Sequence, residues 1–180
     1  VISGIELAVL DLIGKIEEKP VYSLFHNEEN KEINCYYSGG SVAFSADQIE
    51  EDIIKMKSLG FNAFKMRVGL QDWDKDLQRV SRANQFLKSD KFMVDAIMGT
   101  LSDKLSIEQA ITKIKDLEKY NIDWIEEPLG PSNLSDYKKL CKVSNIPVAM
   151  GEAYSGYLHF KEIASNNYAD IIQVDASHSM

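Results

Sequence analysis

Asp95, Glu126, Glu152 and Asp175 each stand at the close of an apolar run, and Lys65 closes an earlier one. The runs are Phe61 to Phe64, Phe92 to Val94, Ile122 to Ile125, Ile146 to Met150 and Ile171 to Val174. A carboxylate can hold a hard cation, and an ammonium can neutralise an anionic substrate. Three carboxylates gathered in one place repel each other unless a cation lies between them. Oxygen donors of this kind suit Mg²⁺. The chemistry therefore depends on whether these residues meet. Each run reads as a short buried strand, and the charged residues follow one another at roughly 23 to 31 positions, about one strand plus one helix. Repeating that unit gives a parallel sheet covered by helices, most economically an α/β fold of the (β/α) barrel type. The C-terminal strand ends form the active-site face of such a barrel, so the charged residues are expected to converge there around magnesium.

Composition narrows the function. A net charge of -8 argues against nucleic acid, whose phosphates need a basic partner surface. The most apolar stretches are short and interrupted by charge, so no membrane span is expected. Val1 is not followed by a basic region leading into a continuous apolar core, so no secretory leader is expected, and the reading is cytoplasmic. Cys35 and Cys141 fall in different predicted elements without metal-ligand spacing, which fits two reduced thiols.

The local signals supply the elements. Gly4 to about Ile16 carries apolar residues at helical spacing, and Pro20 permits a short turn through Tyr22 and Leu24. His26 to Glu32 reads as a loop, and Ile33 to Tyr37 as a first strand ended by Ser38-Gly39-Gly40. Ser45-Ala46-Asp47-Gln48 has the form of a capping box, opening a helix that runs to Gly60. Asn62 to Val68 and Lys91 to Asp95 read as strands around a helix from Asp74 to Leu87. Ser106 caps a helix reaching about Tyr120, and further helices span Ser135 to Val143 and Tyr157 to Ser165. Strands four, five and six end at Glu126, Glu152 and Asp175. That makes six strands, where a closed barrel needs about eight.

Five motifs in order carry a family resemblance: Phe64-Lys65-Met66-Arg67-Val68-Gly69, Met93-Val94-Asp95-Ala96, Trp124-Ile125-Glu126-Glu127-Pro128, Met150-Gly151-Glu152 and Val174-Asp175-Ala176. The chain resembles the enolase superfamily, in its mandelate racemase and muconate lactonizing branch. Gly4-Ile5-Glu6-Leu7-Ala8 is similar to the helix that leads into that family's barrel. The resemblance implies that Asp95, Glu126 and Glu152 hold an essential Mg²⁺. It implies that Lys65 is the first lysine of the family's Lys-x-Lys pair and faces the substrate carboxylate. Asp175 matches the aspartate that orients a histidine base carried on the next strand. On this reading residues 1–32 are a helical lead-in from a capping domain that is largely missing. Residues 33–180 are a partial barrel, and the chain is part of a longer, homo-oligomeric enzyme.

The departures refine the expected activity. Arg67 stands where the family usually has a second, basic lysine, and arginine stays protonated through the working pH range. A racemase needs a base on each face of the carbon, so Arg67 favours an enzyme with one histidine base. Ile97 replaces an asparagine that commonly follows the strand-end aspartate by two, and the segment from Gly99 to Leu105 is longer than usual. His178 lies too close behind Asp175 to be the next-strand base and is taken as a substrate contact. Any one acidic strand end is most often a helix cap or a solvated charge. The ordered set with Lys65 argues for chemistry. The expected activity is a magnesium-dependent hydro-lyase converting a sugar acid of the gluconate or galactonate type to a 2-keto-3-deoxy acid. Lys65, Arg67 and His178 would face the substrate. The alternatives are a racemase or epimerase on the same scaffold, and a catalytically inactive structural relative.

Overall fold

The computed structural model describes residues 2–25, 32–69, 72–98 and 105–179. Helix α1 (Ile2–Ile16) and a 3₁₀ turn at Val21–Leu24 lead into β1 (Tyr37–Gly39). Strands and helices then alternate: α2 (Ala46–Ser58), β2 (Ala63–Arg67), α3 (Trp73–Leu87), β3 (Lys91–Asp95), α4 (Ile107–Leu117) and β4 (Trp124–Glu126). The series closes with α5 (Leu134–Val143), β5 (Val148–Met150), α6 (Tyr157–Asn166), β6 (Ile171–Ile172) and α7 (Ala176–Ser179).

The helix ends follow the local chemistry. Ser45 and Ser106 each form a full capping box, with Gln48 and Gln109 returning the bond to the cap's backbone. After α2, Gly60 takes a positive φ of 84°. Its N–H donates to Lys57 and that of Phe61 to Met56, which satisfies carbonyls the helix leaves open. The apolar residues of each helix recur three and four apart, as in Ile49, Ile53, Met56 and again in Ala110, Ile114, Leu117. These stripes face the sheet and set the direction in which it is covered.

The strands pair in parallel and in chain order, β1-β2-β3-β4-β5-β6, as in the wall of a (β/α) barrel. Phe64, Met66, Phe92, Val94, Ile125, Val148 and Met150 point into the layer between sheet and helices, where they join the helix stripes in one core. Period-two alternation sends their neighbours Lys65, Arg67, Met93, Asp95, Trp124 and Glu126 to the opposite, concave side. Register then aligns Arg67 with Asp95, and Asp95 with Glu126. Among the described residues β1 and β6 each pair on one side only. No described helix is long and apolar enough to cross a membrane.

Three expected boundaries move. The first strand lies at Tyr37–Gly39, not at Ile33 to Tyr37, because pairing with Phe64 to Met66 fixes it there while Ile33 stays exposed. Gly39, read as a terminator, is inside the strand: a Cβ there would stand 2.4 Å from the Asp52 carboxylate. The sixth strand stops at Ile172, so Asp175 lies beyond it and accepts the Ser177 N–H at 2.7 Å at the start of α7. Glu152 likewise lies in the turn after β5. Helix α1 forms as expected, yet Ile2, Ile5, Val9, Leu12 and Ile16 line an exposed stripe.

Candidate active site

The C-terminal ends of β2, β3 and β4 bring Lys65, Asp95 and Glu126 together. All three are nearly removed from solvent, at 7%, 4% and 1% exposure. Lys65 Nζ donates to Glu126 Oε2 at 2.5 Å and lies 3.8 Å from Asp95 Oδ2. The same ammonium stands 5.4 Å from the centre of the Tyr36 ring, which packs edge-on against Trp124. Burial works against the charge on Lys65, but Glu126 and then Asp95 outweigh it and hold the lysine above its ordinary pKa. Lys65 is a fixed cation.

One cation does not balance this cluster. Burial first, and the charge of Glu126 second, raise the Asp95 pKa from 3.8 to about 6. Lys65, the Ile97 N–H and Arg67 only partly oppose that rise. Glu127, the next residue after β4, is also pushed up, chiefly by burial, and accepts the Ala153 N–H at 3.2 Å. Backbone strain sits in the same ring of turns. Ile97 and Glu127 adopt φ of 48° and 41°, a region that costs a residue with a side chain about 1–2 kcal/mol. In exchange, the Ile97 N–H reaches Asp95 Oδ1 at 2.9 Å and orients the carboxylate.

In front of Lys65 and Glu126 opens a cavity of about 320 Å³, also lined by Tyr36, Glu152, Gln173, Val174, Asp175 and Ala176. The sequence-derived candidates are thus distributed in three ways. Lys65, Glu126, Glu152 and Asp175 border this cavity, whereas Asp95 is buried beside Lys65 and Glu126. Arg67 is exposed at the end of β2, opposite Asp95 in register, while Met66 packs in the core. The side chain of His178 lies outside the described residues, as do His26 and most of the Gly99 to Leu105 segment. His159 is exposed on α6 and bonds to the Ser155 carbonyl, away from the cavity.

Among the described residues no three acidic, histidine or cysteine side chains are drawn close enough to hold a metal ion. Asp95 and Glu126 converge on the Lys65 ammonium, and Glu152 lines the same cavity as Lys65 and Glu126. The donor set nevertheless fits a hard divalent cation. It is all oxygen, two of its members are nearly fully buried, and its negative charge exceeds what Lys65 supplies. Sequence reasoning missed Tyr36 and Gln173. Gln173 stands two residues before Asp175, the spacing that puts both on one side of an extended segment. Its Oε1 is buried without a hydrogen-bond partner.

A parallel strand-helix sheet with acidic and basic residues gathered at its C-terminal strand ends has the arrangement of the active-site face of a (β/α) barrel. Comparison with known proteins places it: residues 48–179 match the enolase C-terminal domain-like family, and the chain belongs to that family. It is 28% identical to the L-talarate/galactarate dehydratase of Salmonella typhimurium over 97% of this chain and 43% of that protein. The 3,6-anhydro-D-galactonate cycloisomerase of Zobellia galactanivorans superposes with a TM-score of 0.85 and 29% identity, covering 99% of this chain and 48% of that one. An enolase from Bradyrhizobium, solved with magnesium and mandelic acid, gives a TM-score of 0.85 and 28% identity over 98% of this chain and 47% of that one. The chain thus spans about half the length of the proteins it matches.

Proposed function

We propose that the protein is a magnesium-dependent hydro-lyase that removes water from a sugar acid to give a 2-keto-3-deoxy acid. The observation that carries this reading is Lys65, a buried cation held between Asp95 and Glu126 at the strand ends and facing a polar cavity. A proton beside a carboxylate is very weakly acidic, so its removal needs positive charge where the enolate oxygens develop. Asp95, Glu126 and Glu152 would hold Mg²⁺, which supplies that charge as a Lewis acid. Lys65 and Arg67 bind and neutralise the substrate carboxylate. Asp175 orients a histidine general base carried on the next strand of the full-length protein; that histidine takes the α-proton and returns it to the departing β-hydroxyl, which leaves as water. The dehydratase relative supports a polyhydroxy acid as substrate.

The cycloisomerase neighbour favours a second reading, in which the same enolate expels the β-oxygen of an anhydro or lactone ring, so that the C–O bond breaks and the substrate isomerises without losing water. Arg67 argues against racemisation, because a guanidinium is a poor base for the second face of the carbon. Incubating the full-length protein with aldonates, aldarates, anhydro acids and lactones, with Mg²⁺ in deuterated water, separates these readings. The expected product is a 2-keto-3-deoxy acid from acids of one configuration at the α-carbon. Interconversion of both configurations without loss of water would contradict the dehydratase reading. Isomerisation confined to anhydro or lactone substrates would replace it with the cycloisomerase.

A further inference from the structure

The core of α3 contains a charged pair that the site described above does not use. Arg79 and Asp76, three residues apart on α3, are 2% and 0% exposed and meet at 2.6 Å between Nη1 and Oδ1. Neither is spent on the helix. Arg79 Nη1 also donates to the Arg67 carbonyl at 3.1 Å, and Nη2 donates to the carbonyls of Gly40 at 3.2 Å and Ser41 at 2.6 Å. Asp76 Oδ2 accepts the Gly69 N–H at 2.7 Å. The pair therefore spans the turns that follow β1 and β2.

Those turns are held from other sides as well. Gly40 donates its N–H to Asp52 of α2 at 2.7 Å, and its carbonyl also accepts the Arg67 N–H at 3.0 Å. Gly40 takes φ of 56°, and a Cβ there would lie 2.2 Å from Met66 Cβ, so the two turns approach as closely as their backbones allow. Arg67 thus has both main-chain polar groups fixed, its N–H on Gly40 and its carbonyl on Arg79. Stability alone does not account for charge here. A buried ion pair is often matched or bettered by apolar residues of the same volume. Apolar residues could not supply donors to three strand-end carbonyls.

We infer that Arg79 and Asp76 are a positioning pair, holding the backbone of Arg67 and the Gly40–Ser41 turn so that the Arg67 guanidinium meets the substrate carboxylate. This rests on the reading of Arg67 as a substrate-facing cation. A guanidinium fork can serve four acceptors in one plane where an ammonium cannot. Arg79→Lys keeps the charge beside Asp76 and removes the fork. Arg82→Lys is the control, on the same helix but half-exposed and paired with Glu50 at 2.7 Å.

The test measures amide hydrogen exchange of residues 38–44 and 64–69, the melting temperature, and KM and kcat for the sugar acid with Mg²⁺, all on the full-length protein. Arg79→Lys is expected to speed exchange in both segments at least tenfold and to raise KM about tenfold. Arg82→Lys should change neither. Unchanged exchange, or unchanged KM and kcat, in an Arg79→Lys protein that melts with the wild type would overturn the inference. If Arg79→Lys does not fold, Asp76→Asn, of the same shape, is read in the same way. If the wild type turns over no sugar acid, the proposed reaction fails separately. The exchange measurement then decides the positioning role, with loss of protection supporting it and full protection overturning it.

Discussion

Lys65→Met is expected to lower kcat/KM by roughly two to three orders of magnitude while keeping the side-chain volume of the site. The substitution removes the cation to which Glu126 is bonded at 2.5 Å and which lies 3.8 Å from Asp95. Both carboxylates are buried, and removing one partner of a buried pair typically costs about 3–5 kcal/mol, because the remaining charge is left uncompensated. The substrate carboxylate would lose its counter-charge at the same time. The stability loss should shrink when Mg²⁺ is added, since a divalent cation would replace the missing charge for the protein but not for the substrate. Thermal melting with and without Mg²⁺, beside kinetics, checks this. A surface change such as Lys88→Met should leave both unaltered, and equal effects of the two substitutions would contradict the placement of Lys65.

Asp95→Asn is expected to stabilise the magnesium-free protein at neutral pH. In the folded chain the Asp95 carboxyl titrates at about 6, above its ordinary 3.8. The folded state therefore binds more protons than the unfolded one between about pH 4 and pH 6. Stability contributed by this group must fall as pH rises through that window. A rise of roughly two units corresponds to a penalty of roughly 3 kcal/mol, fully present above the folded pKa. Asparagine keeps the shape and can still accept the Ile97 N–H, so it should remove the penalty and flatten the slope between pH 4 and 6. Urea denaturation across pH 4–8 in the presence of a chelator measures this. An Asp95→Asn protein no more stable than wild type at pH 7 would contradict the reading of Asp95 as a strained carboxylate. Activity should be lost in the same variant, the usual exchange between stability and function where like charges are held together.

Much of this arrangement is legible in the residues. The third strand is read at Lys91 to Asp95 and observed there, because both faces of a parallel strand are buried and the run is uninterrupted. Ser45 and Ser106 announce their helices through local bonds alone. What depends on distant partners is less visible. The position of β1 is set by its pairing with Phe64 to Met66, and the end of β6 by its pairing with Ala149 and Met150. Neither is encoded within the segment itself. The bond between Lys65 and Glu126 joins residues 61 positions apart, so period-two reasoning places each on the concave side without showing that they meet. Arg79 and Asp76 look like solvated helix charges in sequence, and only the packing of α3 over the β1 and β2 turns turns them inward. Asp175 and Glu152 read as strand ends, but Glu152 sits in the turn after β5 and Asp175 stands beyond β6 at the start of α7.

The claim on which the rest depends is that Asp95, Glu126 and Glu152 act together as a divalent-cation site. Isothermal titration of the full-length protein with MgCl₂ tests it without reference to any substrate. One Mg²⁺ should bind per chain, and Glu126→Gln should weaken that binding by roughly 100-fold or more, since even outer-shell partners of a metal contribute roughly 10- to 100-fold. Binding equal in Glu126→Gln and wild type, or no Mg²⁺ binding by the wild type, would contradict the account.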